Sequence, residues 1–154
     1  MLQILHKGIH INLDLDTTSW TGDVDHDSNL QYMKDLVAGK LVALDTNGKI
    51  QLADGDPTHN LPAIGFNVLD ASGYFMQNKP AVAAKILGVT GSPCVVITDQ
   101  IDTALQFLPG QELYCGTTGK LGLVTNVPAA NAPIIGIAGS TASAAAPQLK
   151  IFVK

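Results

Sequence analysis

The chain has no arginine, a single glutamate (Glu112), one tryptophan (Trp20) and two cysteines in 154 residues. Each scarcity excludes something. Nucleic-acid binding draws its affinity from lysines and arginines that neutralise phosphates, so an arginine-free chain of net charge −4 is expected to bind neither nucleic acid nor an anionic membrane. One glutamate and four histidines leave little with which to build acid–base catalysis or transition-state stabilisation. The nucleophile-elbow pattern GxSxG and the phosphate loop GxxxxGK[ST] are both absent. Two cysteines make no disulfide framework. No apolar run approaches the roughly 20 residues of a spanning helix, and the N-terminus lacks a charged segment followed by an apolar one, so no secretion signal is expected. These readings suggest synthesis in a reducing cytosol, with no enzyme activity and no cofactor.

What is present is glycine, proline, threonine, asparagine, aspartate, valine and isoleucine, residues of strands and tight turns rather than of helices. A stretch also occurs twice. GKLVALDTNGKIQLADGDPTHNLPAIGFNVLDAS, residues 39–72, reappears as GQELYCGTTGKLGLVTNVPAANAPIIGIAGSTAS, residues 110–143, at a constant offset of 71. Gly39 matches Gly110, Gly48-Lys49 matches Gly119-Lys120, and Ile64-Gly65 matches Ile135-Gly136. Two copies are too few for a solenoid and suggest one domain with internal repetition. The expected architecture is mainly β: a small barrel or β-tulip with a twofold repeat (about 27–72 and 98–143), one or two short helices and an N-terminal arm over residues 1–22. At 154 residues such a domain buries roughly 70% of its unfolded surface.

In chain order, Ile9 to Asp16 alternates apolar and polar residues, the pattern of a half-buried strand. This segment is either an arm that adds to another subunit through Ile9, Ile11, Leu13, Leu15 and Trp20, or an edge strand of its own domain. Ser28–Asp35 reads as a short helix capped by Asp27 or Ser28, and Asp99 is the matching cap in the second copy. Val42 and Leu44 pair with Ile50 and Leu52 across Asp45-Thr46-Asn47-Gly48, where Asn-Gly favours a type I′ turn. Leu113, Cys115, Leu121 and Leu123 repeat that face. Residues 81–98 read as a second hairpin turning at Thr90–Pro93. Lys79 aligns with Lys150, so the last strand, 148–153, matches the entry to that hairpin. Closing the sheet would remove exposed edges.

The candidates for chemistry are weak. Cys115 occupies the position of Leu44 and Cys94 lies in an apolar strand, so both read as small core residues. Asp23, Asp25 and Asp27 resemble the start of a calcium loop, but Ser28 and Lys34 stand where an EF-hand needs glycine and glutamate; a solvated acidic loop or a loose cation site remains. His6 and His10 have the spacing of a zinc pair only on a helix. His59 is matched by Ala130 and is not required by the fold.

The sequence Ala38-Gly39-Lys40-Leu41-Val42-Ala43-Leu44-Asp45, followed by Asn47-Gly48-Lys49-Ile50 and then Ala63-Ile64-Gly65, resembles the capsid decoration (cement) proteins of tailed bacteriophages, of the lambda-like head decoration type. The resemblance covers residues 36–72 best. It implies a structural virion protein on the outer surface of the head, made in the host cytoplasm, that binds the major capsid protein and assembles as a homotrimer or dimer to clamp neighbouring capsid subunits. Other β modules remain open: a head-fibre base, a tail component or a carbohydrate-binding domain. The aromatics Trp20, Tyr32, Tyr74 and Tyr114 are scattered, unlike the platform of a sugar site.

Overall fold

A computed structural model describes residues 1–6, 9–13, 35–56, 61–68, 81–85, 94–123 and 134–154. The protein is mainly β. Its strands are β1 (Leu2–His6), β2 (Ile9–Leu13), β3 (Leu41–Leu44), β4 (Ile50–Leu52), β5 (Gly65–Asn67), β6 (Ala81–Lys85), β7 (Cys94–Thr98), β8 (Glu112–Cys115), β9 (Leu121–Gly122), β10 (Gly136–Ala138) and β11 (Leu149–Val153). They form two antiparallel sheets, β2-β6-β5-β3-β4 and β1-β7-β11-β10-β8-β9. The expected closed barrel is not formed. Each repeat supplies a sheet of its own, and the sheets meet through side-chain packing and a few hydrogen bonds instead of one continuous ladder.

The repeat is deeper than the matching letters suggest. Numbered in chain order within each unit, β2 to β6 and β7 to β11 both run 1-5-4-2-3 across their sheet. The pairs Val42↔Gly65 and Leu44↔Ile50 recur as Leu113↔Gly136 and Cys115↔Leu121, 71 residues later. Turn bonds recur as well. Gly39 N donates to Asn67 O and Gly110 N to Ala138 O, both at 2.8 Å; Ile64 N donates to Val42 O and Ile135 N to Leu113 O, both at 2.8 Å. Gly39 and Gly110 share the left-handed backbone, with φ of 93° and 88°, where a side chain is strained.

Two expectations about the strands are corrected and a third is decided. First, residues 81–98 are not a hairpin: β6 pairs with β2 and β5, and β7 with β1 and β11. The connection between Lys85 and Cys94 exceeds the two to five residues of tight hairpins, and it joins one sheet to the other. Secondly, the offset of 71 does not hold to the end. Phe66 pairs with Ala84, whereas its counterpart Ile137 pairs with Phe152, so Lys150 corresponds to Val82, not Lys79. Three extra residues precede β6. Thirdly, of the two readings of the N-terminal segment, β1 and β2 follow the second, each being an edge strand of one of the domain's own sheets. β2 is the first strand of the first unit, the counterpart of β7, and only β1 is additional.

Local differences have local causes. The Asp45–Gly48 turn has positive φ only at Gly48, so it is not type I′. The Asp45 carboxylate accepts from Asn47 N at 2.8 Å and Lys49 N at 2.7 Å, and Gly48 N donates to Asp45 O at 3.1 Å. This holds a type I turn closed by glycine. In the second copy Thr117–Gly119 form a 3-10 turn instead. The helix expected over Ser28–Asp35 lies outside the described residues except for Asp35, which has helical backbone. Asp99 caps no helix. Turns follow it, with Ala104 N bonding Asp102 Oδ1 at 2.9 Å, and its own carboxylate accepts from the N-terminal ammonium at 2.6 Å and Gln100 Nε2 at 2.7 Å.

One core spans both units. Leu41, Ala43 and Phe66 of the first pack with Val96, Ile101, Phe107, Leu113, Cys115, Leu121, Leu149 and Ile151 of the second, and Leu2 and Ile4 of β1 lie against it. Polar joints accompany the packing. Thr98 Oγ1 donates to Gly39 O at 3.0 Å, and Gly55 N donates to Gly116 O at 3.0 Å.

Candidate partner-binding surfaces

The residues expected to meet a partner divide between the strands and the rest of the chain. Ile9, Ile11 and Leu13 lie on β2, whose backbone pairs with Lys85, Ala83 and Ala81 of β6. Leu15 and Trp20 lie outside the described residues, as do Asp23, Asp25, Asp27 and His59. β2 is an edge strand: among the described strands its neighbour is on the β6 side alone. The equivalent edge of β7 carries β1, registered Leu2↔Thr98 and Ile4↔Val96. The two units therefore differ at one place, an edge filled in one and lacking a described strand in the other. Such an edge presents a row of backbone donors and acceptors.

A second surface was not foreseen from sequence. Strand alternation points Thr98, Val96, Leu149, Ile151, Leu113 and Cys115 into the core, and so turns Val95, Ile97, Phe152, Ile137 and Tyr114 to the opposite face of the six-stranded sheet. Phe152 is 41% exposed and Leu5 47% exposed. Phe152 pairs with both Val95 and Ile137, so apolar groups sit side by side across three strands. The Phe152 ring lies against Gly139, where an added Cβ would come within 2.6 Å of Cε2, and Lys150 Nζ stands 5.5 Å from its centroid. At the rim, Tyr114 OH donates to Glu112 Oε2 at 2.9 Å, and this bond to the carboxylate raises the phenol pKa. Phe152 is the exposed member of this face and Val95, Ile97 and Ile137 are half-buried, so the apolar patch is small beside those that mark interaction sites. The available signal was CVVIT and LKIFV, strands apolar on both faces.

Burial holds both cysteine thiols in the protonated form, which is not the nucleophile. Burial pushes the thiols of both cysteines up, Cys115 to about 12 with help from Asp54. Both are buried, and Cys115 Sγ lies 3.3 Å from Gly116 O, as expected of small core residues. Burial lowers the Lys40 ammonium, against the raising effect of Asp35, and Lys120 adds to the lowering. Among the described residues no group of three or more histidine, cysteine or acidic side chains could hold a metal ion, and no helix is long and apolar enough to cross a membrane. No family model, curated protein or solved structure matches the chain.

Proposed function

We propose that this protein is a structural virion protein that binds the outside of a phage head and braces contacts between major capsid subunits. The observation that carries the reading is the β2 edge. The second unit completes this edge with β1, and the first has no described strand there. A strand of the major capsid protein added at Ile9–Leu13 would use main-chain hydrogen bonds, the most general form of strand recognition. The resemblance of residues 36–72 to decoration proteins gives the same role. An acidic chain suits the outer surface, which does not touch packaged DNA. A core shared between two sheets suits a part that must resist force.

The test is to mix the purified protein with expanded empty heads of a tailed phage from the same source and image the particles. Ordered added density on the outer surface, with a capsid strand along β2, is the expected result. Bare heads at saturating protein, or density that leaves β2 unengaged, would overturn the reading.

A further inference from the structure

The chain has eight asparagines, and Asn47 alone is followed by glycine. That pairing carries an intrinsic reaction. The backbone nitrogen of the following residue can attack the side-chain amide carbon, and a glycine, having no Cβ, leaves the approach open and the backbone free to turn. Each of the other seven asparagines is followed by a residue with a side chain. Asn47 and Gly48 are both exposed, in the turn between β3 and β4. Among the described residues nothing lies within 4 Å of a Cβ added at Gly48. Two bonds oppose the attack. Gly48 N donates to Asp45 O at 3.1 Å. Asn47 Nδ2 donates to Asp45 Oδ2 at 3.4 Å, longer than the usual range. Together they slow the step by about thirtyfold at most.

The chain contains its own comparisons. Aspartate before glycine closes the same five-membered ring more slowly, and Asp54-Gly55 is the one such pair. That pair is clamped. Gly55 N donates to Gly116 O at 3.0 Å, and a Cβ added at Gly55 would meet Cys115 O, so the main chain there cannot turn without parting from the second unit. Asp54 Oδ1 also accepts from Asp56 N at 2.9 Å. In the second copy Thr118 stands where the first has Asn47 and has no amide to react. The next residue, Gly119, is packed: a Cβ added there would lie 2.5 Å from Leu41 O. We propose that Asn47 is a site of spontaneous deamidation in the folded protein, selected by the fold over Asp54. Gly48 N gives its proton to water and bonds to Asn47 Cγ. The Cγ–Nδ2 bond breaks and ammonia leaves. Water then opens the succinimide at either carbonyl, giving aspartate or isoaspartate. The balance is amide plus water to carboxylate plus ammonium, and each chain gains one negative charge beside Asp45. The inference does not rest on the capsid reading, and its test uses the protein alone.

Incubating the purified protein at mildly alkaline pH should convert it to a more acidic species that ion exchange separates. Peptide mapping should place the change at residue 47, largely as isoaspartate that an isoaspartyl carboxyl methyltransferase labels. The other seven asparagines should stay intact, and Asp54 should carry no isoaspartate while the protein is folded. The rate at Asn47 should lie within about thirtyfold of its rate in denaturant, where only the chain-local chemistry is left. Asn47→Gln, a conservative change at an exposed position, should abolish the acidic species, because the longer side chain would have to close a larger ring. A folded-state rate lower than that bound would overturn the proposal, since the turn would then protect Asn47. So would an acidic species that persists in Asn47→Gln, or isoaspartate at Asp54 of the folded protein, which would mean that the fold does not select the site.

Discussion

Thr98 Oγ1 donates to Gly39 O at 3.0 Å, tying the first strand of the second unit to the entry of β3 in the first. Thr98 is fully buried and also accepts from Gln100 N at 3.1 Å. Thr98→Val removes both bonds and leaves buried backbone groups without that partner. The expected loss is about 1–3 kcal/mol, read as a lower denaturant midpoint at unchanged slope. A midpoint within error of wild type would mean that the joint contributes nothing.

Gly39 and Gly110 separate conformation from packing. Both hold φ near 90°, so alanine at either should cost about 1–2 kcal/mol for the backbone alone. At Gly110 that is the expected effect, because among the described residues nothing lies within 4 Å of the added Cβ. At Gly39 the new methyl meets Thr98 Oγ1 and the backbone of Met1, adding about 1–3 kcal/mol of overpacking. Thermal unfolding of the two variants should rank Gly39→Ala clearly below Gly110→Ala. Equal melting temperatures would contradict the close approach.

The cysteines should be inert until the protein unfolds. With its pKa pushed up to about 12, Cys115 has almost no thiolate at pH 8, and thiolate is the reactive form. Ellman's reagent should therefore react with neither thiol on the timescale of a free cysteine, and with both in denaturant. Serine at either position should cost about 1–3 kcal/mol for a hydroxyl placed in an apolar site. Rapid modification of the native protein would show that the core is open.

Asp45 should carry an acid-sensitive part of the stability. The bond from Lys49 N lowers its pKa, desolvation opposes this, and the Asn47 donors add to the lowering. A carboxylate whose folded pKa is depressed contributes stability above its unfolded pKa and loses it as pH falls through the folded value. Between about pH 4 and pH 2 the wild type should lose more stability than Asp45→Asn, measured by denaturant titration at each pH. Parallel losses in the two proteins would place the acid-sensitive group elsewhere.

Removing residues 1–13 should damage the fold rather than free it of an arm. The deletion takes one edge strand from each sheet and strips Leu2 and Ile4 from the core. Burial of those two side chains alone is worth about 2–4 kcal/mol. The truncated protein should show reduced β signal and a broadened thermal transition by circular dichroism. A cooperative transition at the wild-type temperature would mean that β1 and β2 are dispensable.

Much of the architecture was legible in the sequence because it is local or periodic. The 71-residue spacing predicted the pairs Leu44↔Ile50 and Cys115↔Leu121, and β-rich composition with frequent turn residues predicted the class. Glycines at 39 and 110 are required by a backbone that only they adopt easily. The sequence by itself also marked Cys94 and Cys115 as core, since each sits among apolar neighbours at strand spacing. Tertiary structure alone decided the rest. Alternation of period two says that two faces differ, but not which one is covered. Leu41 and Tyr114 therefore stand at nearby positions of equivalent strands with opposite fates, one in the shared core and the other on the outer face. It also decided that β6 and β7 go to separate sheets, because pairing depends on which edges are free once both units have formed. It also decided that Phe152 is exposed, on the face of the second sheet turned away from the shared core, while Val42 and Ile50 on the far face of the first sheet are fully buried.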